Sequence, residues 1–137
     1  MKYGFFDEKE LQSPNDPHQS PFPHVVRDEL LNLLNRIRRE WGKPVLVNSG
    51  YRSPEYNATI PGAVPNSYHT KGMAADIRPD DPRLIPEFQD LCLEINADGG
   101  VGLYDAFAHV DVRGHHAYWD YRSRKNNGAQ RHCRADV

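Results

Sequence analysis

One amphipathic helix constrains the fold of this chain more than any other feature of its sequence. Six apolar residues recur at helical spacing while charged residues fill the opposite face, and they are Val26, Leu30, Leu33, Leu34, Ile37 and Trp41. Gly42, followed closely by Pro44, predicts the end of this helix. A helix that is apolar on one side only must be covered by a second layer of structure.

Short β-rich runs supply that layer. The predicted strands span residues 44–49, 73–78, 101–104 and 108–112, with a further candidate at 116–121. A second amphipathic helix is predicted over residues 84–95, closed by Gly99-Gly100. Residues 50–72 are rich in Gly and Pro and predict a long loop, which in a small domain is usually functional or disordered. This order predicts an α+β domain with helices packed on one mostly antiparallel sheet.

Chain length predicts one domain. With 137 residues the chain can bury one modest core, and we expect a single domain over residues 1–121. Residues 122–137 are rich in basic side chains and predict a solvated, frayed tail. Residues 12–24 contain four prolines and predict an extended loop.

The charge balance argues against a nucleic-acid partner. Charged residues make up 26% of the chain, but their signs are mixed and the net charge is only −2, so the basic field that nucleic-acid binding requires is missing. The two cysteines, Cys92 and Cys133, lack metal-site spacing and predict two free thiols.

Targeting signals are not visible in the sequence. No apolar run approaches the roughly 20 residues needed to cross a bilayer. The segment Met1–Leu11 lacks the basic start and apolar stretch of a secretory signal. We therefore expect a chain that is cytoplasmic, is released by another route, or has lost its leader.

Three residues from separate segments predict a metal site. His69 and Asp76 lie seven positions apart, the first in a predicted loop and the second on the following strand. His109 lies on a different predicted strand, where alternation places it on the same face as Asp111 and Arg113. Two imidazoles and one carboxylate leave the fourth position of a zinc ion open for water, and that open position distinguishes catalytic from structural zinc sites.

The segments around these residues carry a family resemblance. The runs are Phe5-Phe6-Asp7-Glu8-Lys9-Glu10-Leu11, Ser49-Gly50-Tyr51-Arg52-Ser53-Pro54, Ser67-Tyr68-His69-Thr70-Lys71-Gly72-Met73-Ala74-Ala75-Asp76-Ile77 and Phe107-Ala108-His109-Val110-Asp111-Val112-Arg113-Gly114. In this order they closely resemble the zinc D-Ala-D-Ala carboxypeptidase family, which is peptidase M15-like and shares its fold with the hedgehog signalling domain. The resemblance covers the chain from about residue 4 to Trp119.

The resemblance implies a ligand set, a substrate and a fold. His69, Asp76 and His109 match the family's three zinc ligands, which implies one Zn²⁺ per chain. Arg52 matches the arginine that holds the substrate, and Ser67 matches a serine that lines the site. Tyr68, next to the first ligand, is a further candidate for substrate contact. The implied fold is the small hedgehog/DD-peptidase domain.

One departure from the family pattern leaves the general base open. Many relatives have Glu or Asp three residues before the last histidine, and this chain has Ala106 there. The nearest carboxylates are Asp105, in the predicted turn, and Asp111, on the ligand strand. Either could act on a metal-bound water, and Asp111 could instead orient an imidazole.

Three functions remain open at this point. The first is a hydrolase that cleaves peptidoglycan peptides, as carboxypeptidase or endopeptidase, such as an endolysin from a phage or prophage that stays cytoplasmic until released and then acts at the cell wall. The second is a zinc-containing module of the same fold that binds the wall without catalysis. The third is a phage structural component that reaches the wall. In each case we expect a monomer whose partner is a peptidoglycan peptide.

Overall fold

The structure is a computed structural model that describes residues 2–15 and 25–123. In chain order its elements are β1 (Lys2–Tyr3), β2 (Phe6–Asp7), α1 (Glu8–Leu11), α2 (Asp28–Trp41), β3 (Val45–Ser49), α3 (Pro54–Asn57), a 3₁₀ helix (Tyr68–Lys71), β4 (Ala74–Pro79), a second 3₁₀ helix (Pro82–Leu84), α4 (Ile85–Ile95), β5 (Gly100–Leu103), β6 (Ala108–Asp111) and β7 (Ala117–Asp120). Most of the predicted proline-rich loop and almost all of the predicted basic tail lie outside the described residues, so the domain boundary at residue 121 stays a prediction.

A five-stranded sheet forms the centre of the molecule. Its strand order is β3-β4-β6-β5-β7, and every neighbouring pair is antiparallel except β5 and β7. A separate two-stranded sheet pairs β1 with β2. The α+β prediction with a mostly antiparallel sheet is therefore confirmed. Within the described part of the chain, no helix is long and apolar enough to span a membrane.

Helices α2 and α4 cover one face of the sheet. Of the predicted positions in α2, Leu30, Leu34 and Ile37 are buried, whereas Leu33 and Trp41 are half-buried. Gly42 ends the helix with φ of 76°. From α4, Phe88 and Cys92 are fully buried and join the same core. Full burial of an aliphatic or aromatic side chain of this size contributes roughly 1.5–3 kcal/mol, so this layer stabilises the sheet that carries the site.

The opposite face of the sheet carries polar residues. Asp76 on β4 pairs directly with His109 on β6, and Asp111 follows two residues later on the same face. On the neighbouring strand, Gly100 and Gly102 pair with Asp111 and His109. A Cβ on Gly100 would overlap the Asp111 carboxylate, so the lack of a side chain at Gly100 makes room for Asp111 on the polar face.

The predicted long loop at 50–72 contains two short helices. Ser53 caps α3 by accepting a hydrogen bond from the Tyr56 amide, and Ser67 caps the first 3₁₀ helix in the same way through the His69 amide. Helices of four residues have no apolar periodicity that a sequence pattern could reveal. Helix α4 ends at Ile95, as the predicted range does, and the predicted Gly99-Gly100 stop lies beyond it, where Gly100 begins strand β5.

Candidate metal centre

Three donor atoms converge on the polar face of the sheet. His69 comes from the first 3₁₀ helix, Asp76 from β4 and His109 from β6. Asp76 Oδ1 lies 3.3 Å from His69 Nε2 and 3.1 Å from His109 Nδ1. One ligand atom from each residue lies within 4.8 Å of the other two, and all three residues are buried. The structure therefore brings the predicted triad close enough to bind one metal ion.

Local backbone geometry explains how His69 and Asp76 meet. Gly72 ends the 3₁₀ helix in the left-handed region, with φ of 69°, and turns the chain into β4. A side chain at this position would be strained and would also overlap the Val25 carbonyl. Both the backbone conformation of Gly72 and its surroundings therefore require a glycine at this turn.

The outer nitrogen of each imidazole faces an acceptor. His69 Nδ1 lies 2.8 Å from the Gly50 carbonyl, and His109 Nε2 lies 2.7 Å from Asp111 Oδ2. Because a carbonyl and a carboxylate can only accept, we assign a proton to each outer nitrogen. The inner nitrogens then present lone pairs towards the Asp76 carboxylate. Three electron-rich atoms facing one another need a cation between them, so this donor set fits a divalent metal.

The electrostatics of Asp76 agree with that arrangement. Burial alone would raise the pKa of Asp76, but the charges and hydrogen bonds of His69 and His109 hold it well below its usual range. Burial opposes charge on His109, yet its hydrogen bonds to Asp111 and Asp76 raise the pKa of that imidazole, so a metal ion would have to replace a proton on Nδ1. Asp76 is thus ionised at neutral pH, which is the state a metal ligand requires.

Asp111 is held in an ion pair beneath His109. Its carboxylate accepts from Arg113 Nε at 2.9 Å, from Arg113 Nη2 at 2.7 Å and from the Gly100 amide at 3.1 Å. The guanidinium in turn lies over the rings of Tyr68 and Trp119. Burial would raise the pKa of Asp111, but Arg113 and His109 lower it. Both carboxylate oxygens are engaged, so Asp111 is placed to orient His109.

Arg52 contacts both the metal centre and the loop that follows it. Its Nη2 lies 3.3 Å from Asp76 Oδ2, its Nε donates to Ser49 Oγ at 3.0 Å and its Nη1 donates to Asn57 Oδ1 at 3.2 Å. Asn57 also donates to the Val64 carbonyl at 2.7 Å. These contacts fix the guanidinium next to the unshared oxygen of Asp76. Among the described residues, the other two of its five N–H groups have no acceptor and remain for another one.

An open cleft of about 290 Å³ lies above the triad. Its floor contains His69, Asp76, His109 and Arg52, and its walls are mainly apolar. One wall is residues 60–63, and the other is an aromatic wall formed by Tyr104, Phe107 and Tyr121. The described residues therefore combine a possible metal site and a guanidinium in a space large enough for part of a peptide.

Four of the predicted site residues lie outside the lining of this cleft, namely Ser67, Tyr68, Asp105 and Asp111. Ser67 is buried and accepts from the His69 amide, and Tyr68 packs against Arg113 and Lys71. The exposed Asp105 accepts from the Ser123 amide at 2.8 Å and from its hydroxyl at 2.6 Å, and these bonds lower the pKa of Asp105. Substrate contact by Ser67 or Tyr68, and catalysis by Asp105 or Asp111, stay predictions.

The aromatic wall was not predicted from the sequence. For Tyr104 and Trp119 the sequence indicated only packing in the core, because an isolated aromatic residue near a strand end is typical of any core. The structure links them, since Trp119 Nε1 donates to the Tyr104 hydroxyl at 2.9 Å while the Trp119 ring packs against His109. No local pattern connects residues 104 and 119, so only the parallel pairing of β5 with β7 reveals this contact.

Comparison with known proteins agrees with the site. The sequence profile described as peptidase M15 matches residues 6–111, a span that contains all three converging residues. No match to the chain is found among curated proteins. Enzymes of the M15 family are metal-dependent peptidases, and the metal-binding geometry of His69, Asp76 and His109 lies inside the matched span. On this evidence the chain belongs to the peptidase M15 family.

Proposed function

We propose that this protein is a zinc metallopeptidase that hydrolyses peptide bonds of peptidoglycan. The observation that carries the proposal is the convergence of two imidazole nitrogens and one carboxylate oxygen at the floor of an open cleft. Nitrogen and oxygen donors in this number suit zinc with a position left for water. When bound, such an ion polarises the scissile carbonyl and lowers the pKa of its water.

Arg52 is the proposed carboxylate-binding residue. Its guanidinium is only 12% exposed, and it is the only cationic side chain among the described residues that line the cleft apart from the two histidines. A planar guanidinium recognises a carboxylate through two parallel hydrogen bonds. In a carboxypeptidase substrate this partner is the terminal carboxylate. In an endopeptidase substrate it is a side-chain or free carboxylate of the stem peptide.

Asp111 is proposed to act through His109. The buried carboxylate fixes the imidazole so that its Nδ1 faces Asp76, which is how acidic partners of metal-ligating histidines raise ligand basicity. We therefore assign Asp111 as a positioning residue. Asp105 contacts Ser123 at the surface, so we assign it no part in the chemistry.

A specific observation favours a second candidate function, a cell-wall-binding module without catalysis. Among the described residues that line the cleft, Asp76 is the only carboxylate, and the position three residues before His109 is Ala106. A free general base is therefore not supplied by a carboxylate of the lining. This candidate keeps the metal and the cleft but predicts no turnover.

Muropeptide turnover separates the two candidates. The zinc-loaded protein is incubated with purified pentapeptide muropeptides and with cross-linked dimers, and the products are identified by liquid chromatography and mass spectrometry. Release of D-Ala supports a carboxypeptidase, and cleavage of dimers or stems supports an endopeptidase. His69→Ala and chelator-treated protein are the controls and should be inactive.

A muropeptide assay that yields no product would also be informative. If the wild type carries one zinc per chain and yields no product from either substrate, the peptidase proposal is wrong. Retention of that zinc-loaded protein on insoluble peptidoglycan in a sedimentation assay would then support the binding module. A phage or prophage origin, with release at lysis, is part of the proposal.

A further inference from the structure

The geometry of the aromatic wall points to one more group with a chemical role. We propose that the Tyr104 hydroxyl is a catalytic residue that donates a hydrogen bond to the substrate oxygen that becomes negatively charged when the scissile carbonyl is attacked. This inference rests on the peptidase function proposed above. It concerns a residue outside the motif segments through which the chain resembles its family.

Tyr104 lies in the wall of the cleft whose floor contains the triad. It lines the same space as His69, Asp76 and His109. Its hydroxyl lies 2.9 Å from Trp119 Nε1, and the Trp119 ring packs against the His109 ring with centroids 5.1 Å apart. The hydroxyl is thus joined to the metal centre through one indole ring.

The Tyr104 side chain is held rigidly. Its ring stacks on Phe107 with centroids 4.5 Å apart and meets the edge of Tyr121 at 5.8 Å. The buried Gln89 of α4 donates from Nε2 to the carbonyls of Tyr104 and Phe107, at 2.7 and 3.0 Å. A donor in a catalytic site is effective only when it is positioned in advance, and these contacts provide that positioning.

The hydrogen bond with Trp119 gives the hydroxyl a direction. An indole N–H can only donate, so the Tyr104 oxygen accepts there and its own proton must point to a different acceptor. Within the described residues, Tyr104 donates to no protein acceptor, because its one hydroxyl contact is the indole. An oxygen of a substrate bound in the cleft can accept this hydrogen bond.

The charge state of Tyr104 suits a donor. Burial, reinforced by the nearby charge of Asp76, raises the pKa of Tyr104 to about 12, although the Trp119 bond opposes the shift. The phenol therefore keeps its proton at neutral pH. It stabilises developing negative charge by hydrogen bonding, and no proton leaves the side chain.

Deleting the hydroxyl tests the proposal. Tyr104→Phe keeps the ring and its stacking on Phe107, and removes only the donor. Tyr56→Phe is the matched control, since Tyr56 is a half-buried tyrosine outside the cleft lining. We expect Tyr104→Phe to lower kcat by about 10²-fold, the usual effect of losing one oxyanion donor, with KM within about twofold of wild type. Zinc content and far-UV circular dichroism should be unchanged in both variants.

A second readout does not depend on turnover. A phosphinate analogue of D-Ala-D-Ala presents tetrahedral, negatively charged oxygens. Its affinity for the protein is measured by isothermal titration calorimetry. Tyr104→Phe should weaken this binding by about the same factor as it lowers kcat, and Tyr56→Phe should not.

The outcomes separate the two proposals. If the wild type cleaves muropeptides while Tyr104→Phe keeps wild-type kcat and phosphinate affinity, the role of Tyr104 is overturned and the peptidase function stands. If the zinc-loaded wild type neither cleaves muropeptides nor binds the phosphinate, the peptidase function falls and the role of Tyr104 falls with it.

Discussion

The Nε2 atom of His109 lies 2.7 Å from Oδ2 of Asp111, and both residues lie on the same face of β6. The same carboxylate accepts two hydrogen bonds from the guanidinium of Arg113. A cation, an anion and an imidazole therefore form one buried row that ends at the proposed metal ligand. The orientation of His109 is set by this row before any ion binds.

Removing the charge of Asp111 should weaken metal binding. Asp111→Asn is expected to lower zinc affinity by about 10- to 100-fold, as for other acidic partners of metal-ligating histidines. It should also cost on the order of 3 kcal/mol of unfolding free energy, because the buried Arg113 loses its counter-charge. Zinc affinity is measured by competition with a chromophoric chelator, and stability by urea unfolding.

The matched control for this prediction is Asp105→Asn. Asp105 is exposed and contacts only Ser123 by hydrogen bonds in the described structure, so zinc affinity should stay at the wild-type value. If Asp111→Asn binds zinc like the wild type yet loses all turnover, then Asp111 acts in the chemistry and its assignment as a positioning residue is wrong.

Metal content should depend on the triad alone. Zinc-loaded wild type should retain about one zinc per chain after gel filtration, and His69→Ala should retain almost none. His116→Ala is the matched histidine control, because His116 is exposed and contacts the Ala97 carbonyl. Inductively coupled plasma mass spectrometry gives the stoichiometry. A folded wild type that binds no divalent ion would end the enzyme hypothesis.

The hydrogen bonds of Gln89 from helix α4 should support both the stability of the protein and the position of Tyr104. Gln89→Leu leaves the carbonyls of Tyr104 and Phe107 without their side-chain donor and should cost about 1–3 kcal/mol of unfolding free energy. By loosening Tyr104 it should also lower kcat more than it raises KM. Glu94→Leu, an exposed change on the same helix, should do neither. Urea unfolding and steady-state kinetics measure the two effects, and equal behaviour of both variants would contradict the prediction.

Cys92 should be unreactive until the protein unfolds. Burial raises the pKa of this thiol well above its ordinary value, so the neutral form is favoured in the folded state. In a Cys133→Ser background, reaction with a thiol reagent should follow the unfolding transition in urea. Rapid labelling of the folded protein at neutral pH would contradict the burial of Cys92.

The raised pKa of Cys92 also makes the free energy of unfolding depend on pH in a defined direction. The folded pKa of Cys92 is raised, so its contribution to stability is complete below the unfolded value of about 8.5 and is lost as the pH rises above it, because only the unfolded state releases the proton. The stability difference between this background and its Cys92→Ala derivative should therefore shrink from pH 8 to pH 10. A constant difference would refute the effect.

The sequence by itself determined the elements whose signals are local. The apolar period of α2 and its Gly42 stop, the β-rich runs of the central sheet and the α+β class are all present in the structure. The convergence of His69, Asp76 and His109 was also predicted, because short motifs carry these residues and strand alternation sets their faces.

Only the tertiary structure decided which side chains surround the three ligands and form the wall of the cleft. The contact of Asp111 with Arg113 and His109 depends on side-chain direction, and the link between Tyr104 and Trp119 depends on β7 joining β5 in parallel. The hydrogen bond from Gln89 to the Tyr104 carbonyl connects helix α4 to the turn between β5 and β6. Periodicity reports which face of an element is buried, but it carries no information about which distant residue will lie against that face. For this reason the ligands could be predicted from the sequence, and Asp111 was left open between two roles, whereas the contacts of Tyr104 and Gln89 could not be predicted.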